Sequence, residues 1–418
     1  MIPASYNEHL NLKLKYFSQM KKVLTAAILA VTTCAFIGCT KNEVRSISDN
    51  PQAVRFLPLN GKHSTKVMVD GITYPTTLPF GTLAYYLPSG NTWKDHKANA
   101  TLYIPKSKVV HNNGNWEVDG KTYYWPKSGS LTFFAYSPFA HEDGTLLAVD
   151  KVSNTTHDDG IHILNYDVHA HQATDFMVAD IAMDKTANGS NGGYTGVPIV
   201  FRHKLSQIVG INFQTVITNT TSTGTALVKH DYAHGHSDIA GNLEAGDVVF
   251  KLKKVEVKNL YTVGNYVYSG TGADPVANDG WMNQDPNSKE PYTWFDKTPV
   301  AFAGNTEFNL TYKTQDATRN DYLLILPQPL ITPGTTTPKT TDPLIHIEYQ
   351  VLTYSDDIHY STEDVIEDVY LYNIHNSASA IDMNKKITYN FKINLEDRKI
   401  YWAPSVVDWE SVTYDTSK

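Results

Sequence analysis

Histidine is the residue type in this chain whose spacing most suggests chemistry. Four histidines fall within fifteen residues, beside two aspartates: His157, His162, His169, His171, Asp158 and Asp159. His169 and His171 hold alternate positions, so on a strand they would share one face and could bind zinc or nickel. Histidines in loops and on strand surfaces are solvated far more often than they bind metals. We therefore expect no metal site and no cofactor.

The sequence lacks the short motifs of common catalytic sites. It contains no Gly-x-Ser-x-Gly elbow and no phosphate-binding loop. His141 and Glu142 are adjacent, but no second histidine follows four residues after the first, as a zinc-protease helix requires. Three pairs of adjacent acids lie in polar stretches: Asp356 and Asp357, Glu363 and Asp364, Glu367 and Asp368. These pairs are better explained as solvated surface acids than as the two carboxylates that flank a glycosidase cleft. We expect no enzymatic activity.

Tryptophan supplies the other candidate binding group, because flat aromatic rings can stack on sugars. Trp281 and Trp294 flank the polar stretch 283–289 and are expected to be exposed. They are the candidate residues for contact with a glycan. Trp125 follows two tyrosines in a strand-like segment, and we expect it to lie in the core.

The first forty residues carry an export signal. Met20 and two lysines precede an apolar run, residues 23–37, that ends at Gly38 and Cys39. A basic start, an apolar stretch of about 15 residues and a small residue before the cut are typical of a secretory signal peptide. The run is too short to span a bilayer, which needs about 20 apolar residues. Residues 1–19 precede this complete signal, so we interpret them as an over-called start and assign 1–38 to no fold.

Cys39 stands directly after the expected cut and indicates a bacterial lipoprotein. Acylation of Cys39, for example with palmitate, would hold the protein in a membrane, with residues 39–52 as a polar spacer. Ordinary cleavage without a lipid is the alternative. The other cysteine, Cys34, lies in the discarded peptide, so no disulfide is expected. The net charge of −8 argues against nucleic acid as a partner, because that partner requires a basic surface.

Alternating apolar residues predict that the mature chain is built from strands. Residues 389–395 (YNFKINL) and 344–349 (LIHIEY) alternate in this way, which buries one face of each strand. Residues 131–136 (LTFFAY) are more continuously apolar and suit an interior strand. Such segments, separated by polar loops, predict an all-β fold of antiparallel sandwiches. A Gly- and Asn-rich loop at 188–193 places the domain boundary between 53–198 and 199–418.

Several segments follow one another in a characteristic order after Cys39. They are residues 53–56 (AVRF), 78–86 (LPFGTLAYY), 123–126 (YYWP), 131–138 (LTFFAYSP), 175–180 (DFMVAD), 201–206 (FRHKLS), 326–328 (LPQ), 389–395 (YNFKINL) and 407–409 (VDW). The series resembles the fimbrillin family of Bacteroidales lipoproteins over nearly the whole mature chain. The resemblance implies two tandem antiparallel β-sandwich domains of transthyretin-like topology, in a structural or adhesive subunit of a cell-surface fimbria (pilus).

The same resemblance implies a route of assembly. The lipidated precursor reaches the outer membrane, and an arginine-specific protease removes an N-terminal piece. The emptied groove then receives a strand from a neighbouring subunit. Loss of an edge strand exposes unpaired backbone groups and an apolar slot, which an alternating peptide can fill. Head-to-tail donation does not close on itself and therefore generates a fibre.

Two arginines and a short alternating segment near the mature N-terminus fit this route. Val54 and Phe56 alternate with Arg55, so residues 53–57 are the candidate for the displaced first strand, at an edge of its sheet. The whole chain has five arginines: Arg45, Arg55, Arg202, Arg319 and Arg398. Arg45 and Arg55 are the candidate processing sites, and Arg55 is favoured if the first strand must be severed.

The C-terminal segment 400–418 is the candidate donor strand. Its apolar residues include Val406, Val407, Trp409, Val412 and Tyr414. Their spacing is irregular and Pro404 would interrupt a continuous strand, so an ordinary terminal strand is the alternative. Shaft and tip roles are not distinguished by the sequence.

The expected partners follow from these roles. They are other fimbrial subunits, the outer membrane through the lipid, and a host or bacterial glycan or protein ligand. A surface lipoprotein that binds polysaccharide through Trp281 and Trp294 is the alternative function.

Overall fold

The computed structural model consists almost entirely of β-strands. It describes residues 52–60, 72–147, 149–150, 160–187, 196–216, 248–271, 274–282, 284–302, 307–355, 359–394 and 399–408. The strands among them are β1 (Phe56–Asn60), β2 (Ile72–Thr73), β3 (Phe80–Leu87), β4 (Thr101–Asn112), β5 (Asn115–Val118), β6 (Ser130–Ser137), β7 (Val149–Asp150), β8 (Gly160–Asp167), β9 (Met177–Ala179), β10 (Ala182–Lys185), β11 (Val197–His203), β12 (Ser206–Val216), β13 (Val248–Lys258), β14 (Val263–Thr271), β15 (Asp274–Met282), β16 (Tyr292–Phe302), β17 (Glu307–Leu310), β18 (Leu323–Ile325), β19 (Leu344–Tyr354), β20 (Tyr360–Tyr370), β21 (Lys385–Asn394) and β22 (Lys399–Asp408).

Helical structure in these residues is limited to single turns. The turns are α1 (Trp93–His96), a 3₁₀ turn (Lys97–Asn99), α2 (Tyr312–Gln315) and α3 (Leu371–Ile374). No described helix has the length and apolar character that crossing a bilayer demands.

Nine strands form the first sheet, and this sheet closes on itself. Its order is β10-β6-β3-β4-β5-β1-β11-β9, with β2 paired to β1, and β9 also pairs with β6 to complete a ring. The pairing of β1 with β11 is parallel. Tyr74, Phe80, Phe133 and Phe201 meet in the core of this ring, each at most 1% exposed. The ring is therefore filled by side chains.

A second sheet covers the outer face of β3 and β6. Its order is β15-β14-β8-β7. Tyr85 of β3 and Phe134 of β6 share one core cluster with Ile163 and Tyr266 of the second sheet. All eight residues of β6 are buried, which explains the continuous apolar run at 131–136. The prediction that this run is an interior strand is confirmed.

The two remaining sheets pack face to face as a sandwich. One has the order β17-β12-β21-β22, with β18 also on β12, and the other has the order β16-β13-β19-β20. Phe213 stacks on Phe391 in the first, with ring centroids 5.3 Å apart, and Phe250 contacts Tyr349 at 4.6 Å in the second. All four rings belong to one core cluster. The all-β prediction is confirmed, with one parallel pairing here, between β12 and β21.

Strand pairing crosses the boundary that the sequence suggested at residue 198. β11 (Val197–His203) belongs to the first sheet through β1 and β9, whereas β8 pairs with β14, a strand from the second half of the chain. The boundary at residue 198 therefore does not coincide with a boundary between sheets. The division into folding units 53–198 and 199–418 stays a prediction.

The folded protein is expected to lose stability between pH 7 and pH 5. Burial lowers the pKa of His375 below its ordinary value near 6.5, and its Nε2 lies 3.0 Å from the Tyr389 hydroxyl. The unfolded chain binds a proton at His375 more readily than the folded chain does. The contribution of neutral His375 to stability is therefore fully present above pH 6.5, and it falls as the pH drops towards the lowered folded pKa. Urea unfolding at both pH values should show a smaller decrease for His375→Gln. An equal decrease in the variant and the unsubstituted protein would contradict this assignment.

Candidate functional site

The leading strand β1 lies inside the first sheet. It pairs with β11 on one side, from Phe56 opposite Val197 to Asn60 opposite Phe201, and with β5 and β2 on the other. The expectation of an edge position is wrong, because the apolar segment that forms β11 returns beside β1 and the ring closes through β9. A strand that left this position would open the ring and create two new edges.

Backbone hydrogen bonds also hold the residues just before β1. The amide of Val54 donates to the carbonyl of Tyr123 at 2.7 Å, and the amide of Trp125 donates to the carbonyl of Gln52 at 2.9 Å. The leading segment is thus anchored at two places, by residues 123–125 and by β11.

The side chains of the leading segment alternate between the core and solvent. Val54 is 3% exposed and Phe56 is 2% exposed, whereas Leu57 is 40% exposed. The Phe56 ring meets Phe80 and Phe133 edge to face, with centroids 5.8 and 5.7 Å apart. Edge-to-face pairs of this kind contribute beyond the area they bury. Val54 and Phe56 thus face the core, and their role as the displaced first strand stays a prediction.

Arg55 has an exposed side chain and a bonded backbone. Its carbonyl accepts a hydrogen bond of 2.7 Å from the amide of Val197. A protease could recognise the guanidinium, but cutting the next peptide bond requires the segment to lift off β11. A cut after Arg55 would remove Val54 and leave Phe56 as the new N-terminus of β1. Arg45 and Cys39 lie outside the described residues, so their assignments stay predictions.

The C-terminal strand β22 occupies an edge of the sandwich. It pairs antiparallel with β21 along its whole length, and Pro404 stands opposite Tyr389. The expectation that Pro404 interrupts the strand is wrong, because an edge strand has one unpaired side that tolerates proline. Val406 and Val407 are 42% and 47% exposed. Trp409, Val412 and Tyr414 lie beyond the described residues.

The two tryptophans proposed for glycan contact do not form an exposed platform. Trp294 is fully buried, its indole nitrogen donates to the carbonyl of Leu310 at 3.1 Å, and its ring packs on Tyr312. The expectation of exposure is wrong for this residue because β16 turns the indole into the sandwich core. Trp281 is half-buried, and its indole nitrogen donates to the carbonyl of Lys204 at 2.5 Å. Trp125 lies in the core, as expected.

The structure does not group the histidines as their spacing in the sequence suggests. His169 and His171 lie in a turn after β8, so the expectation that they share a strand face is wrong, and His157 lies outside the described residues. The structure instead brings His171 against His141 and Glu142. The imidazole rings of His141 and His171 stack with centroids 3.6 Å apart, and His171 Nδ1 lies 3.7 Å from Glu142 Oε2.

Two features of this histidine cluster stand out. Burial and the neighbouring His171 lower the pKa of His141. His141 and Glu142 also line a cavity of about 700 Å³, together with Pro79, Phe139 and His203. No local spacing signals this cluster, because His171 follows Glu142 only after β7 and β8.

Comparison with known proteins places the fold in a family. The fimbrillin-like family profile matches residues 85–409. Among solved structures, a fimbrial protein from Bacteroides vulgatus is 18% identical, with 79% of this chain and 92% of that chain covered and a TM-score of 0.48. The fimbrial anchor protein Mfa2 from Porphyromonas gingivalis is 11% identical, with 86% and 98% covered and a TM-score of 0.31. No curated protein matches the sequence. Because the family profile spans most of its length, the chain belongs to the fimbrillin-like family.

Proposed function

We propose that the protein is a structural and adhesive subunit of a cell-surface fimbria, with no enzymatic role. Family membership supports the fimbrial role, and the signal peptide with Cys39 supports export as an outer-membrane lipoprotein. The observation that carries the assembly mechanism is the leading segment, whose buried residues Val54 and Phe56 flank an exposed arginine.

Proteolysis after Arg55 would start the exchange of the leading strand. The cut removes residues 39–55, and with them the hydrogen bonds that join residues 52–54 to residues 123–125. β1 is then held by the backbone pairing of its own five residues and by the aromatic side chains that surround Phe56. A strand from a neighbouring subunit can displace it by pairing with β11 and filling the same pockets.

The C-terminal strand is the proposed donor. β22 is an edge strand with three large apolar side chains more than a third exposed: Trp402, Val406 and Val407. Releasing β22 breaks one ladder, with β21, and leaves the rest of the sandwich core in place. A released β22 could pair with β11 in the slot of the next subunit through one side, whereas its other side would lack a ladder hydrogen bond at Pro404.

Limited proteolysis of the mature chain tests the proposal. An arginine-specific protease should convert the monomer into polymers measured by light scattering, and N-terminal sequencing of the polymers should begin at Phe56. Arg55→Gln should stay monomeric, whereas Arg45→Gln should polymerise normally. Polymers whose subunits still begin at Cys39 would contradict the proposed cleavage step.

The donor role is tested by charge at the exposed valines. Val406→Asp together with Val407→Asp should leave the monomer folded, since both side chains are already exposed, but should block polymerisation because a carboxylate cannot enter an apolar slot. Ile366→Asp, at an exposed apolar residue of another edge strand, β20, is the matched control. Polymerisation of the double variant at the normal rate would assign β22 the role of an ordinary terminal strand.

A further inference from the structure

We propose that His141, Glu142 and His171 bind a divalent transition-metal ion, with Zn²⁺ the best match, at the rim of the 700 Å³ cavity. Each residue offers one ligand atom, and the three atoms lie within 4.8 Å of one another. Ligand atoms around tetrahedral Zn²⁺ are about 3.3 Å apart, given metal–ligand bonds of about 2.0–2.2 Å. Small side-chain movements would therefore bring all three into range.

An unpaired nitrogen provides an independent indication of a ligand. His141 Nδ1 is buried and makes no hydrogen bond, which is uncommon among the described side chains. Buried polar atoms are nearly always paired, and an unpaired one calls for an explanation such as an ion. Coordination would satisfy this nitrogen without any rearrangement of the backbone.

The carboxylate of Glu142 is already held in place. Its Oε1 accepts a hydrogen bond from the amide of Ala173 at 3.3 Å, and its Oε2 accepts one from the Thr174 hydroxyl. The Glu142 amide in turn donates to Thr174 Oγ1 at 3.2 Å. Hydrogen bonds of this type orient metal ligands in proteins. Ala173 and Thr174 closely follow His171, so the turn that positions the carboxylate also carries the second imidazole.

The stacked imidazoles must change orientation to share an ion. Their rings are nearly parallel, at 16°, so the nitrogen lone pairs lie in parallel planes and do not converge on one point. Rotation of one ring about its Cβ–Cγ bond corrects this. Neither ring is fully buried, and the His171 side chain is 18% exposed, so the rotation has room at the surface.

Two imidazoles and one carboxylate are a common donor set for Zn²⁺, with a fourth position left open. Because His141 and Glu142 line the cavity, the open position would face it. An oxygen donor, such as a carboxylate on a ligand, could complete the coordination there. The site would thereby link the loop after β6 to the turn after β8 and make binding in the cavity dependent on the cation. It does not depend on strand exchange.

Calorimetric titration of the untagged mature chain with ZnCl₂, after chelator treatment, tests the site. We expect one Zn²⁺ per chain and a rise in melting temperature on binding. His141→Ala and His171→Ala should each weaken binding by at least about tenfold, in line with the loss of one ligand. His169→Ala, an exposed histidine in the same turn, should bind as the unsubstituted protein does.

Several outcomes would overturn the site. These are Zn²⁺ binding equally tight in the His141→Ala and His171→Ala double variant, no binding by the unsubstituted chain, or an equal loss in His169→Ala. Circular dichroism and metal-free melting of each variant separate lost ligands from lost folding. Because the polymerisation assay needs no metal, failure here would leave the fimbrial proposal untouched.

Discussion

Replacing Phe56 with alanine is expected to lower the free energy of unfolding by about 3–5 kcal/mol, the usual cost of removing a buried phenylalanine. The ring is 2% exposed and fits edge to face between Phe80 and Phe133. Neighbouring side chains in the closed ring cannot collapse into the space, since they are fixed on strands paired on both sides. Urea unfolding followed by tryptophan fluorescence would measure the loss.

Leu57→Ala is the matched control for this change. Leu57 is the next residue of the same strand but is 40% exposed, so its truncation should cost under about 1 kcal/mol. Phe56→Ala should also speed polymerisation after cleavage, because a less firmly seated β1 leaves more easily. Equal destabilisation by the two variants would show that β1 is not anchored through Phe56.

Gly196→Ala is expected to cost at least about 2 kcal/mol, from backbone strain and a clash that side-chain motion cannot relieve. Gly196 has φ of +140°, and a Cβ there would lie 2.6 Å from the carbonyl carbon of Phe56 and 2.7 Å from its oxygen. The contact is with backbone, so β1 and β11 must move apart. Hydrogen exchange at the Val197 amide, which bonds to Arg55, should accelerate.

Gly90→Ala separates the clash from the cost of the unusual backbone conformation. Gly90 also has positive φ, at +86°, but a Cβ there meets nothing within 4 Å. Its replacement should cost about 1 kcal/mol and leave exchange at Val197 unchanged. Equal destabilisation by both variants, with equal protection of the Val197 amide from hydrogen exchange, would contradict this account. It would show that the close approach of the two backbones does not hold the leading strand in place.

The local parts of the fold could be predicted from sequence because they depend on local periodicity. Residues 344–349 and 389–394 alternate, and both lie in strands with one buried face, whereas Leu395 lies outside the described residues. The apolar run at 131–136 indicated a strand covered on both sides, and β6 is one. Val54 and Phe56 alternate with Arg55 in the same way, and both are buried.

Features that depend on distant partners could not be predicted in this way. The interior position of β1 requires β11, the burial of Trp294 requires β17, and the histidine cluster joins two loops separated by β7 and β8. Pro404 was misjudged because its effect depends on whether the strand lies at an edge. In each case the deciding contact lies far away in sequence, where periodicity carries no information.

The parallel ladder between β1 and β11 has a consequence for how the exported chain folds. Phe56 pairs with Val197, which lies roughly 140 residues further along the chain, and closing so large a loop is entropically costly and slow. During secretion the N-terminal end emerges first, so its apolar face stays unmatched until most of the closed sheet has been delivered. The leading strand is therefore expected to dock among the last elements. Because β1 completes the ring, its later departure would reopen the ring beside β11, and this is the slot that the proposed exchange would fill.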